Sequence, residues 1–83
     1  MNMDEAIKSM ELYRDNRVPT GGFLEACLSN DLREAFGRAD ESSRNNLFEI
    51  VKYLYNEMPS DIWGSREAVK AHLDKGMIQL TNR

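Results

Sequence analysis

Apolar residues recur at three- and four-residue steps through most of this chain, and that spacing predicts helices. The clearest run is Leu24, Leu28, Leu32, Ala35, Phe36 and Ala39, which predicts one helix from about Gly21 to Arg38 or Ala39. Ahead of it, Met3, Ala6, Ile7, Met10 and Tyr13 make a shorter stripe over about residues 4 to 15. Asp4 and Glu5 stand at its start, where acids meet the positive end of the backbone dipole. Leu47, Ile50, Val51, Leu54 and Met58 share one side of a third helix, about 43 to 58, with Phe48 and Tyr55 beside them. Pro59 stops it. Val69 and Leu73 give a thin seam, with Ala68 and His72 nearby, to a fourth helix of about 66 to 75. Ser65 is its expected cap, and Gly76 its expected left-handed carboxyl terminus.

The punctuation between these runs is polar. Asp15-Asn16-Arg17 and Val18-Pro19 separate the first two helices, and Thr20 is placed to cap the second. Gly37 is a weak point, costing about 1 kcal/mol against alanine inside a helix. Asp40, Glu41, Ser42 and Ser43 form the next break, and all but Glu41 are good caps. Met77-Ile78-Gln79-Leu80 alternates but is too short to build a sheet alone, so residues 76–83 are expected to be a flexible tail. No strand pattern or internal repeat appears. The expected fold is all-α: a small helical bundle of three main helices plus a short flanking helix, in a single domain spanning 1–83.

Length and charge narrow the function classes. A single core in 83 residues supplies about 3–5 kcal/mol without a staple, a metal or a partner subunit, so a homo-oligomer is expected. One cysteine, Cys27, allows no intrachain disulfide, and its apolar flank suggests a small buried hydrophobe. The first ten residues carry acids and no long apolar run, unlike a signal peptide. No stretch approaches a membrane span. Cytoplasmic location is the expectation. The net charge of −3 argues against a nucleic-acid binder, which would show a basic surplus.

Catalytic and metal constellations are not visible. His72 and Cys27 are each alone of their kind, with no spacing that collects zinc ligands, so no cofactor is expected. A single histidine on a helix reads as a surface or partly packed residue. The paired acids Asp4-Glu5 and Asp40-Glu41 sit at helix starts, where capping explains them. The chain is expected not to be an enzyme.

Binding chemistry is more visible. A helix starting at Gly21-Gly22 would present unpaired N–H groups, a natural anion site. Arg14, Arg17, Arg33, Arg38 and Arg44 surround it in sequence, and arginine offers a planar fork for phosphate or carboxylate. Taken one at a time, these residues have a plainer reading: the glycines turn the chain, and the arginines pair with Asp15, Asp31, Asp40 and Glu41. Ser29-Asn30-Asp31 interrupts a helix otherwise rich in Leu and Ala, either covering a solvent face or giving directional hydrogen bonds to a ligand. Trp63 either closes the core or anchors an interface. The candidate ligand- or partner-binding residues are therefore Arg17, Gly21, Gly22, Asn30, Arg33 and Trp63.

The combined string Gly21-Gly22-Phe23-Leu24-x-Ala26-x-Leu28-x-Asn30-Asp31-Leu32, then Arg38-Ala39-Asp40, Tyr53-x-Tyr55-Asn56, Pro59 and Trp63-Gly64-Ser65, resembles small helical proteins encoded by bacteriophages and prophages. The resemblance covers about residues 13 to 73. It implies an accessory protein acting on host machinery or host defence, and no catalytic residues. The leading expectation is a non-enzymatic protein that binds a host or phage protein. The alternative is an oligomer that sequesters an anionic nucleotide signal at the Gly21-Gly22 helix start with arginines.

Overall fold

The computed structural model describes residues 1–81, with side chains described as far as Gly76. It is all-helical, with six helices among the described residues where the periodicity predicts four. They are α1 (Met3–Asn16), α2 (Gly22–Leu28), α3 (Leu32–Arg38), α4 (Glu41–Asn45), α5 (Leu47–Glu57) and α6 (Arg66–Thr81). No helix among them is long and apolar enough to cross a membrane.

α1 starts on a capping box. The Asn2 side chain accepts from the Glu5 N–H at 2.8 Å, and the Glu5 carboxylate accepts from the Asn2 N–H at 3.4 Å. The inner face of α1 buries Ala6, Met10 and Tyr13, which join Leu24, Cys27 and Leu28 of α2, Ala35 of α3, Ile50 and Leu54 of α5, Met58, and Val69 of α6 in one cluster. Leu47, Tyr53, Ile62 and Trp63 pack half-buried against it.

The long helix expected from Gly21 to Ala39 is broken. The reason lies in Ser29-Asn30-Asp31. Asn30 adopts a left-handed φ of 60°, which aspartate and asparagine tolerate better than most residues. Its N–H donates to the Cys27 carbonyl at 3.1 Å, and the Asp31 N–H to Ala26 at 2.9 Å. That pair of bonds is the Schellman closure of a helix end. Asp31 then caps the next helix, accepting from the Glu34 N–H at 3.1 Å. The turn rotates α3 away from the register of α2. Leu32 and Phe36, which continue the apolar stripe on paper, are 69% and 54% exposed.

Three further expectations are corrected. Thr20 caps nothing: Gly21, at φ 97°, is the residue before α2, and no side chain caps that end. The third helix is split at Asn46, and Asp40 caps the short α4 by accepting from the Ser43 N–H at 2.7 Å. Gly76 does not end its helix, because α6 runs through it to Thr81. Met77 to Leu80 are therefore helical in backbone, not an alternating extended segment. Their side chains, and residues 82 and 83 of the expected tail, lie outside the described residues. Ser65 does cap α6, accepting from the Ala68 N–H at 3.1 Å.

The two Asp caps carry a pH prediction. The Asp31 carboxyl is held below its ordinary 3.8, chiefly by the Glu34 N–H and then by Arg66. Asp40 is lowered likewise, chiefly by the backbone of Ser43. A carboxyl that binds its proton less readily when folded stabilises the fold above its unfolded pKa, and that contribution is lost as pH falls through the lower folded value. Helical content followed by circular dichroism is expected to become easier to melt as pH drops below about 4. Asp31→Asn with Asp40→Asn, which keeps two capping side chains, is expected to flatten that acid limb; an unchanged slope would assign it to other carboxylates.

Candidate functional site

The connection between α5 and α6 spans residues 58–65. It is fastened at both ends. Tyr13 is 1% exposed, and its hydroxyl donates to the Ile62 carbonyl at 2.7 Å. Burial, and after it the charge of Glu25, pushes the Tyr13 phenol up to about 12, so it stays a donor at neutral pH. The Gly64 N–H donates to the Leu28 carbonyl at 2.6 Å, with Gly64 in a left-handed φ of 102° that a side chain would strain. Arg66, at the start of α6, pairs with Asp31 at the start of α3.

Beneath this connection His72 of α6 is buried, at 5% exposure, which corrects the expectation of a surface or partly packed residue. Its ring centroid lies 4.6 Å from that of Tyr13. Nε2 stands 2.6 Å from the Tyr13 carbonyl oxygen, and Nδ1 stands 2.7 Å from Nη1 of Arg17. Arginine has donors only, so Nδ1 must accept. Nε2 therefore carries the hydrogen and donates to Tyr13. The ring is held as the neutral Nε2–H tautomer, with each nitrogen satisfied.

Arg17 is placed by three features. α1 ends on it, in a left-handed backbone with φ 56°, and its N–H donates to the Tyr13 carbonyl at 3.1 Å. Its guanidinium reaches His72 across 55 residues of sequence. Its aliphatic stem lies on Gly76, where an added Cβ would come within 3.0 Å of the Arg17 Cβ. Among the described residues no carboxylate pairs with it.

Arg17 and His72 border an open cavity of about 290 Å³. Among the described residues, Arg14, Arg17 and Lys75 supply its cations, Asp61 its one lining carboxylate, and Ile62 and Ala71 part of its apolar wall. Arg14 is committed in part to Asp15, at 2.9 Å through Nε.

The sequence candidates are not gathered into one site. Arg17 turns to α6. Gly21 and Gly22 open α2, and Gly22 is covered by Arg38, whose Nη1 would stand 3.0 Å from an added Cβ. Arg38 is itself paired at 2.7 Å with Glu34, four residues before it on α3, a contact worth about a few tenths of a kcal/mol. Asn30 spends its unusual backbone on ending α2. Arg33 is exposed on α3, and Trp63 is half-buried against the core. The expected partners of the arginines are realised only in part: Asp15 takes Arg14, while Asp31 takes Arg66 and not one of the five. Burial pushes the Cys27 thiol up to about 11, which leaves it protonated and poorly nucleophilic at neutral pH. Among the described residues no three His, Cys, Asp or Glu side chains are grouped to hold a metal.

The outer face of α5 corrects one placement: Val51, expected on the side of Ile50 and Leu54, is 42% exposed. α5 is apolar on two sides. Ile50 and Leu54 face inward, fully buried, while Phe48, Val51 and Tyr55 line the outside at three- and four-residue steps. Phe48 is 75% and Tyr55 76% exposed. On α3, Phe36 lies under the guanidinium of Arg44 of α4, 5.0 Å from the ring centroid.

Comparison of the chain with known protein families, with curated proteins and with solved structures finds no match.

Proposed function

We propose that this chain is a non-enzymatic interaction protein that binds another protein through the outer face of α5. The observation that carries the reading is the exposure of Phe48 and Tyr55, each about three-quarters open to solvent, with Val51 between them on one helical stripe. Aromatic side chains cost hydration when left exposed, and they are enriched at protein interfaces. A helix with two separate apolar stripes can pack through one to fold and bind through the other, by anchors at the i, i+3 and i+7 spacing of 48, 51 and 55. Homo-oligomerisation through the same stripe is part of the proposal. A phage-type accessory role, acting on host machinery or defence, is the biological setting that the motif string implies, and such a role needs a binding surface rather than catalytic groups.

The test is site-specific photo-crosslinking in cells. With benzoylphenylalanine at position 48, ultraviolet light is expected to give discrete protein adducts, and the same group at Lys8, on the exposed side of α1, to give none. Adducts that survive Val51→Glu in the same chain, or an absence of adducts at position 48, would overturn the assignment of this face.

A further inference from the structure

We propose that the cavity between the end of α1 and α6 is a binding site for the phosphate group of a small phosphorylated molecule, with Arg17 as its principal ligand-binding residue. The site is separate from the aromatic stripe of α5 and does not depend on it.

Three local departures from helical economy converge on one guanidinium. Arg17 holds a left-handed backbone, a conformation that glycine adopts at helix ends without strain. Gly76 stands within α6, where glycine is a poorer helix former than alanine. His72 is a buried polar ring in a position a leucine would fill more simply. Each is explained by the placement of Arg17. The left-handed residue starts the side chain toward α6, the missing Cβ of Gly76 lets the stem lie flat, and Nδ1 of His72 holds one end of the fork at 2.7 Å.

The way Arg17 is held matters for its chemistry. Its partners are a neutral imidazole and, more weakly, the His72 carbonyl at 3.5 Å. Neither cancels its charge. Its Nε and Nη2 donors have no hydrogen-bond partner among the described residues, so the fork is oriented by one nitrogen and left open at the others. An oriented, uncompensated guanidinium is suited to receive two oxygens of a phosphate. Arg14 and Lys75 stand on the same cavity, in a chain whose net charge is −3. Asp61 would repel a bare anion placed beside it, but it can accept from a hydroxyl on the remainder of the ligand. That favours a hydroxylated phosphate ester over inorganic phosphate. A cavity of about 290 Å³ is at the small end for ligand sites, which points to a sugar phosphate or a similar compound and away from a dinucleotide.

The test is a titration of the folded, isotope-labelled protein followed by nuclear magnetic resonance, with ribose 5-phosphate and inorganic phosphate as probes at constant ionic strength. Saturable shifts are expected at the Arg17 Nε–H and at the amides of Ala71, His72 and Lys75, with ribose 5-phosphate binding about tenfold more tightly than phosphate. Arg17→Lys, which keeps the charge and removes the fork, is expected to weaken ribose 5-phosphate at least tenfold while helical content is unchanged. Absence of saturable shifts at these four positions in the wild-type protein would overturn the proposal, and so would equal binding by a folded Arg17→Lys variant. Because the first result needs no substitution, the proposal stays open to refutation even where a variant fails to fold.

Discussion

Replacing Tyr13 by alanine is expected to unfold the domain at 37 °C. Tyr13 is the largest fully buried side chain among the described residues, and its loss opens a cavity worth about 3–5 kcal/mol for an aromatic residue. A core of this size holds about that much stability in total. More than packing is lost, because the hydroxyl is what ties the α5–α6 connection to α1 through the Ile62 carbonyl, and the ring is what packs against His72. Tyr13→Phe separates the two contributions. It keeps the ring and leaves one carbonyl without its donor, for about 1 kcal/mol. Thermal melting by circular dichroism is the measurement: a cooperative transition for Phe at somewhat lower temperature, and none above 37 °C for Ala. Equal melting of the two variants would mean that the hydroxyl, not the ring, carries the residue's contribution.

Helix-forming stretches were legible in the sequence because burial follows their period. Ala6, Met10 and Tyr13 on one side of α1, and Ile50 and Leu54 of α5 with Met58 just after it, are buried as the three- and four-residue steps select, whereas Val51, selected with them, is exposed. Helix ends were less legible, because single residues decide them and several types serve. Asp40 and Ser65 cap as their chemistry suggests. The break at Asn30 was hidden by an accident of spacing: Leu28 and Leu32 are four apart, so the apolar pattern runs unbroken across a turn that separates two helices. The poor helix propensity of Ser29-Asn30-Asp31 is the signal that marks the break, and Asn30 in the left-handed region followed by a capping Asp31 is its physical meaning. Gly76 misled in the opposite direction. Glycine after lysine near a chain's end suggests termination, whereas here its missing side chain serves a neighbour.

The cavity residues were not legible as a group because they are far apart in sequence. Arg17 was singled out, but with Gly21 and Gly22, its neighbours along the chain. Its actual partner His72 is reached only when the end of α1 meets α6, and nothing in a one-dimensional pattern reports that. The buried histidine did leave a trace: Val69, His72 and Leu73 share a seam, so His72 occupies a position that the period assigns inward. A polar ring at an inward position must find partners for both nitrogens. Here they are the Tyr13 carbonyl and the Arg17 fork, so one constraint from the core fixes a charged group at the surface.

The outer stripe of α5 is separable from its inner one by two substitutions of similar size on the same helix. Leu54→Ala removes a fully buried side chain and is expected to cost about 3 kcal/mol, most of the stability available. Phe48→Ala removes a larger side chain that is 75% exposed, and it is expected to shift the melting temperature little. If the outer stripe binds a protein, the order reverses in a binding measurement. Phe48→Ala then removes an interface anchor, for which losses of about 2 kcal/mol or more are usual, roughly thirtyfold in affinity. Urea unfolding and sedimentation equilibrium on the same two variants measure both quantities. A Phe48→Ala chain that is as unstable as Leu54→Ala would return Phe48 to the core. One that is stable and self-associates as the wild type does would remove this stripe from the oligomer interface, because a side chain held out of a small core at the cost of its hydration would then have no contact between copies to offset that cost.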